Sequence, residues 1–470
     1  MKQIIRGICT DISSEGLGII KANWMTIFVP NLLLNEEADV QIEYQRAGVF
    51  YARIKKIYKL SKERIQPLCP VSSACGGCTF QNVSYDYELK FKKKKVEDAL
   101  RKIGHINTPV NDVIGMDEPY YYRNKIQVPF GRENKHIVYG FYKSNTHKII
   151  PIKECYIEDK MGAPILKDIA YLMESMKIDP YNEDTRKGII RHVLIRTSRV
   201  KKEVMVVLVT NALTFPSRNN FVKELTKMHP EIKTVVQNIN LRDTNVILGE
   251  KEEVLYGPGY ITDSILDVEF RISSKSFFQV NPVQCEKLYK TAIKYAKITQ
   301  NDEILDAYAG VATIGIICAK HAKHVTSVEL VKEAVKNGKE NAKRNNINNI
   351  TILEDDCTEY LLRNEKHFDI VILDPPRKGS TPEFLNALMK NKPNRVVYIS
   401  CEPSTLARDL EILEQTYEIE VVQPVDMFPR SFHVETIVCL YLKHRKWFVQ
   451  NTENDLFKTP KIVAVISFKC

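Results

Sequence analysis

No apolar run in the chain approaches the roughly 18 residues that a membrane-crossing helix needs. The N-terminus, Met1-Lys2-Gln3-Ile4-Ile5-Arg6-Gly7, has no apolar stretch of the kind that directs secretion. A cytoplasmic protein that spans no membrane is therefore expected. Internal repeats and low-complexity tracts are absent too. So are the clean G-x-G-x-x-G fingerprint that a dinucleotide fold wants and the C-x3-C-x2-C triad of radical enzymes. A radical role is disfavoured on that ground.

What is present bounds the rest. At 470 residues, two to four domains of roughly 100–200 residues each are expected. Hydrophobic residues make up 44%, enough to bury real cores. The formal charge is +10. Lys92 to Lys95 form a basic run, flanked by Lys90, Arg101 and Lys102. Such a run is either a solvated helix face or a polyanion contact, because neutralising phosphates releases condensed counterions. With a cytoplasmic location added, nucleic acid is the expected partner. Eleven cysteines in a reducing compartment do not read as a disulfide framework.

Residues 1–60 alternate with period two in short runs such as 25–30 and 38–42, which predicts a small β-barrel. Residues 61–80 form a turn-rich, cysteine-bearing linker, and 85–103 a charged amphipathic helix. From about 116 to 270 strands and helices mix. From 271 to 443 they alternate as a parallel sheet requires, with apolar strands at 303–306, 324–328, 350–353, 368–373 and 395–400. The tail 444–470 loses this order. The expected fold is thus multidomain α/β with β: a barrel (1–60), a central α+β domain (61–270) and a C-terminal Rossmann-like domain (271–443). The helical part near 85–115 is placed to pack on the last of these.

Three places carry chemistry. Cys69, Cys75 and Cys78 stand at C-x5-C-x2-C spacing around Gly76 and Gly77, with Cys155 as a fourth candidate. Glycines permit the tight turns that aim several sulfurs at one point. Four thiolates suit tetrahedral zinc or a [4Fe–4S] cluster, and spacing does not separate the two. In 303–315, strand, small-residue turn and helix follow one another, with Asp306 and Tyr308 in the turn and Glu329 ending the next strand. Such a turn lets a nucleoside approach the backbone, and an acid about 20 residues on suits ribose hydroxyls. An acidic loop tolerates S-adenosylmethionine, whose sulfonium is positive, better than a pyrophosphate. The bland alternative is an ordinary βα turn with Asp306 capping a helix. Finally, Asp374-Pro375-Pro376 follows an apolar strand, and Cys401 leaves another. Both sit where open α/β sheets place ligands. A buried structural cysteine is the alternative for Cys401.

With these residues the chain resembles the 23S rRNA (uracil-5-)-methyltransferases, in the branch with an N-terminal TRAM barrel and an iron–sulfur cluster. The resemblance spans about 1–443. It rests on Phe28-Val29-Pro30, the four cysteines, Tyr122-Arg123-Asn124-Lys125, Phe277-Phe278-Gln279-Val280-Asn281, Leu373-Asp374-Pro375-Pro376-Arg377, Ser400-Cys401 and His433-x-Glu435. It implies Cys401 as nucleophile, Glu435 as general base, and Gln279, Tyr308, Glu329 and Asp374 as contacts to S-adenosylmethionine. It further implies [4Fe–4S] rather than zinc on Cys69, Cys75, Cys78 and Cys155, 23S rRNA as partner, and a monomer. From chemistry alone, Gln279 serves the cofactor or the base edge.

The chain departs from the family pattern at Glu402 (usually Asn or Asp), Ala312 (a common glycine), and Arg430-Ser431 (a frequent His-Thr pair). Arg408 and Asp409 either brace the site or form a surface ion pair. Two other readings stand beside this one. The first is uracil methylation of tRNA, against which the barrel and cysteines argue. The second is a non-catalytic RNA-binding or ribosome-assembly protein, against which Cys401, Glu435 and Asp374 argue.

Overall fold

The computed structural model describes residues 3–22, 24–143, 146–243 and 246–443; the tail 444–470 lies outside them. Five strands, Ile4–Ile12, Gly18–Ala22, Met25–Val29, Glu37–Arg46 and Val49–Lys59, close into a barrel. The period-two pattern does the work: Met25, Ile27 and Val29 point inward and Thr26 and Phe28 outward. Ile20, Ile27, Val29 and Val40 fill the interior. Outside, Tyr44 and Tyr51 stack at 4.8 Å, Phe28 lies 5.6 Å from Tyr51, and Trp24 sits edge-on to Phe50.

The helix Tyr85–Lys102 begins at Ser84, whose side chain accepts from the Tyr87 N–H. Val96, Ala99 and Leu100 bury against Leu406 and Leu410 of the helix Pro403–Leu413, in one core with Leu305 and Leu373. The basic run on this helix does not act as a block. Lys92 is fully buried. Lys93 pairs with Asp112 and Lys94 with Asp98, while Lys95 donates to the Phe432 carbonyl.

A seven-stranded sheet follows, in the order Lys251–Tyr256, Ile232–Ile239, Val204–Thr210, Ile190–Thr197, Lys125–Glu133, His136–Tyr142, Ile149–Pro151. The helices Gly162–Ser175 and Arg218–Met228 share its core. The hairpin Ile261–Ile265/Val268–Ile272 buries Ile261, Ile265 and Phe270 with Cys285, Leu288 and Tyr289 of the helix Pro282–Ala296.

The second seven-stranded sheet runs Ile350–Glu354, His324–Glu329, Glu303–Ala307, Ile370–Leu373, Arg395–Ser400, Glu435–Leu442, Tyr417–Val425. Its first five strands are parallel, as the apolar runs imply. The last two correct a purely parallel reading: Glu435–Leu442 lies antiparallel to both neighbours. The chain returns there through a connection from 426 to 434 rather than a crossover helix, so no parallel crossover forms. Val110 and Ile114 bridge to Val422 and Val425 and cover the sheet edge.

Candidate active site

The site is assembled by strand register at the C-terminal lip of the second sheet. Ser400 pairs with Thr436 across antiparallel strands, so Cys401 and Glu435 are each the chain neighbour of one member of that pair. On the other side Leu373 pairs with Tyr398, which puts Asp374 at the same rim. Asp306 pairs with Ile372 and with Ser327 further along the row.

These groups feel one another. Glu435, only 7% exposed, has its carboxyl pushed up to about 8 by burial and by the charge of Asp374, against the pull of Arg377. Burial pushes Asp374 up as well. Cys401, half-buried, is raised to about 11 by burial and by Glu435 and Asp374, while Arg377 favours its thiolate. A buried acid raised by a second one, beside a thiol, is an arrangement common at functional sites. Cys401 is half-buried rather than fully enclosed.

Local chemistry fixes the turn. Glu402 caps the helix Pro403–Leu413 through its side chain, accepting from the Ser404 N–H, with Pro403 starting the helix. The longer carboxylate does the capping that Asn or Asp does elsewhere. Asp409 is fully buried and accepts from the Ser380 N–H at 2.8 Å, from Tyr398 at 2.6 Å and from Arg408. Arg408 also donates to the Lys378 and Ser380 carbonyls. The pair braces the loop behind Asp374; it is not a surface ion pair.

The candidate cofactor loop follows the strand Glu303–Ala307. Tyr308, Gly310 and Ala312 all have positive φ, near 59°, 57° and 57°. A side chain at Gly310 would meet nothing within 4 Å, so this part of the backbone is open to a ligand. Ala312 adopts the left-handed form with its methyl buried, at a cost of about 1 kcal/mol. Glu329 accepts from the Gly310 and Val331 N–H groups, both at 2.8 Å. Tyr308 accepts from Ser380 and packs on Phe384. Asp306 accepts from the Gly315 N–H at 3.1 Å and Ser327 at 2.9 Å, so it does cap the helix, and burial raises it to about 7. Acids around an open loop suit a cationic ligand.

Gln279 is held by its carbonyl, which accepts from Asn124, and its side chain hydrogen-bonds the Tyr289 hydroxyl. Tyr289 also feels the charge of Asp374, which places Gln279 by the same cleft. Sequence reasoning missed Tyr289; only its helical spacing from Cys285 marks it, and that reads as core.

The four candidate ligand cysteines meet elsewhere. Cys69, Cys75, Cys78 and Cys155 line one cavity of about 450 Å³, together with Gln81, Arg123 and Glu158. Gly76, at φ 69°, ends the short helix Ser72–Cys75 and turns the chain toward Cys78. Tyr121 and Arg123 donate to the carbonyls of Tyr156 and Ile157, which brings Cys155 in. Among the described residues no three of these side chains, or of any His, Cys, Asp and Glu, stand close enough for a single metal ion.

The fold and site define a methyltransferase of the α/β class. The family model described as tRNA (Uracil-5-)-methyltransferase matches residues 84–444. The chain belongs to that family and is an S-adenosylmethionine-dependent RNA methyltransferase. An uncharacterized RNA methyltransferase of Oceanobacillus iheyensis is 40% identical over 92% of this chain and 95% of its own. One from Staphylococcus aureus is 38% identical over 93% and 98%. The crystal structure of a Pyrococcus abyssi tRNA (uracil-54, C5)-methyltransferase, in complex with S-adenosyl-L-homocysteine, superposes with a TM-score of 0.76. It is 27% identical and covers 93% of this chain and 100% of that one. Among the described residues no helix is long and apolar enough to cross a membrane.

Proposed function

We propose that the chain methylates C5 of a uridine in 23S rRNA, with Cys401 as nucleophile and Glu435 as base. The observation that carries the reading is the register that brings Cys401 and Glu435 to the two sides of the Ser400–Thr436 pair, with the charges of Glu435 and Asp374 acting on the Cys401 thiol. Uracil C5 is a poor nucleophile. The Cys401 thiolate adds to C6, and C4–C5–C6 becomes an enolate whose C5 takes the donor methyl as the methyl–sulfonium bond breaks and the neutral thioether leaves. Glu435 then takes the C5 proton, the C6–sulfur bond breaks, and the ring regains its double bond. Arg377 is the cation that favours the thiolate at the start.

S-adenosylmethionine, when bound, supplies a methyl group made electrophilic by a positive sulfonium. Gln279, Tyr308, Glu329 and Asp374 are the residues we assign to hold it, on the strength of the acidic, open loop. A uridine stacked in structured RNA hides C5 and C6, so the base must leave its stack to enter the cleft. The exposed rings Trp24 and Tyr44 on the barrel offer faces on which neighbouring bases stack. This supports the barrel as a TRAM-type RNA-binding module.

We assign Cys69, Cys75, Cys78 and Cys155 to a [4Fe–4S] cluster. They line one cavity, and four thiols about a common space suit such a group; the choice of iron–sulfur over zinc rests on the motif resemblance. When bound, such a group would tie the linker to the central sheet.

The ribosomal target follows from the motif resemblance, and transfer RNA is the competing substrate. Mapping 5-methyluridine in ribosomal and transfer RNA from cells with and without the gene separates them. Loss from 23S rRNA is expected. Loss from transfer RNA alone would replace the ribosomal assignment.

A further inference from the structure

The connection from Asp426 to Val434 carries the chain into Glu435, and the carbonyls of Met427, Phe428, Pro429, Arg430 and Phe432 are held from outside it. Asn281 donates to Met427 at 3.1 Å, Lys92 to Phe428 at 3.2 Å, Tyr122 to Pro429 at 2.9 Å and Lys95 to Phe432 at 3.2 Å. Arg430 receives two: the N–H groups of Thr79 and Phe80, next to Cys78, both donate to its carbonyl, at 2.8 and 3.1 Å.

Arg430 is bound in the other direction too. Its own N–H donates to Glu88 at 2.7 Å. Its guanidinium donates to the Val83 carbonyl at 3.3 Å, lies 3.7 Å from the Glu88 carboxylate and sits over the Tyr120 ring at 4.5 Å. It is 4% exposed. Its φ is 68°, a strained backbone for any residue but glycine. Glu88 in turn pairs at 2.6 Å with fully buried Lys92, which pairs at 2.6 Å with Asp426.

We propose that Arg430 is a positioning residue for Glu435. It pins the 426–434 connection to the cysteine-bearing loop and to the helix Tyr85–Lys102, so that the carboxyl stays beside Cys401. This inference rests on the proposed roles of those two residues. It also gives the thiol loop a consequence for catalysis: what orders residues 69–83 orders the approach to the base.

The test uses full-length protein with Arg430→Gly and Arg430→Lys. Glycine accepts the left-handed backbone without strain, so the fold is retained while the guanidinium is lost. Two steps are read separately. Adduct formation with 5-fluorouridine RNA reports Cys401, and tritium release from RNA labelled at uridine C5 reports Glu435. In Arg430→Gly, adduct formation should stay within about threefold of the parent, while tritium release falls about 100-fold, the cost of roughly 1 Å of misplacement. Arg430→Lys should recover part of that loss. Unchanged tritium release would overturn the inference. So would adduct formation and tritium release falling together, with a lowered melting temperature, since that marks a merely structural role. A parent that forms no adduct sinks the proposed function itself; an active parent with an unaffected glycine variant sinks only the role of Arg430.

Discussion

Cys401 follows directly on Ser400, whose cross-strand partner Thr436 is the neighbour of Glu435, and the Glu435 charge acts on the Cys401 thiol. A flat pyrimidine ring beside both would meet a sulfur and a carboxylate together.

Glu435→Gln removes the base but keeps the shape of the side chain. The variant should still add to RNA through Cys401, and the methylated adduct should persist because C5 cannot shed its proton. Denaturing gel electrophoresis of enzyme with unmodified RNA reads this directly: a slowly migrating band should accumulate. Turnover at the parental rate would remove Glu435 from the mechanism.

The pH profile follows from the same pair. Glu435 must be ionised to accept a proton, and its carboxyl is raised to about 8 by burial and Asp374. Tritium release should thus climb as pH rises through about 8, and further toward about 11 as the Cys401 thiol that must first add to C6 ionises. Arg377 opposes the shift of both Glu435 and Cys401. Arg377→Met should move the rising limb to higher pH. Movement to lower pH would contradict this electrostatic assignment.

Lys92 is buried between Glu88 and Asp426. Lys92→Met leaves Asp426 without its cation and Glu88 with Arg430 alone, and breaking such a buried pair costs about 3–5 kcal/mol. Chemical denaturation should show that loss, and Glu88→Gln in addition should return part of it. A loss under about 1 kcal/mol would mean the network is solvated.

Cys155→Ser tests the thiol cavity. Protein purified without oxygen should be brown and contain iron and sulfide, and this variant should lose both. Colourless parental protein with stoichiometric zinc would overturn the cluster assignment.

How much of this was legible follows from range in sequence. Asp306, Asp374 and Cys401 each end an apolar strand run, so their place at the sheet rim is a local pattern. The cysteines with their glycines are local too. The antiparallel return of Glu435–Leu442 was not, because its apolar run looks like any other strand and direction depends on the connection. Lys92 shows the same limit. Within a run of four lysines it reads as a surface residue, and only Asp426, more than 300 positions away, makes its burial possible. Arg430 looked like a departure from a pattern; its partners, Glu88, Thr79 and Phe80, come from a distant part of the chain.

The central claim is a transient bond between the Cys401 sulfur and uracil C6. Mass spectrometry of the protein incubated with 5-fluorouridine RNA and S-adenosylmethionine tests it most directly. The account expects a covalent RNA adduct that maps to the peptide bearing Cys401 and vanishes in Cys401→Ala. An adduct of equal yield in that variant would contradict it.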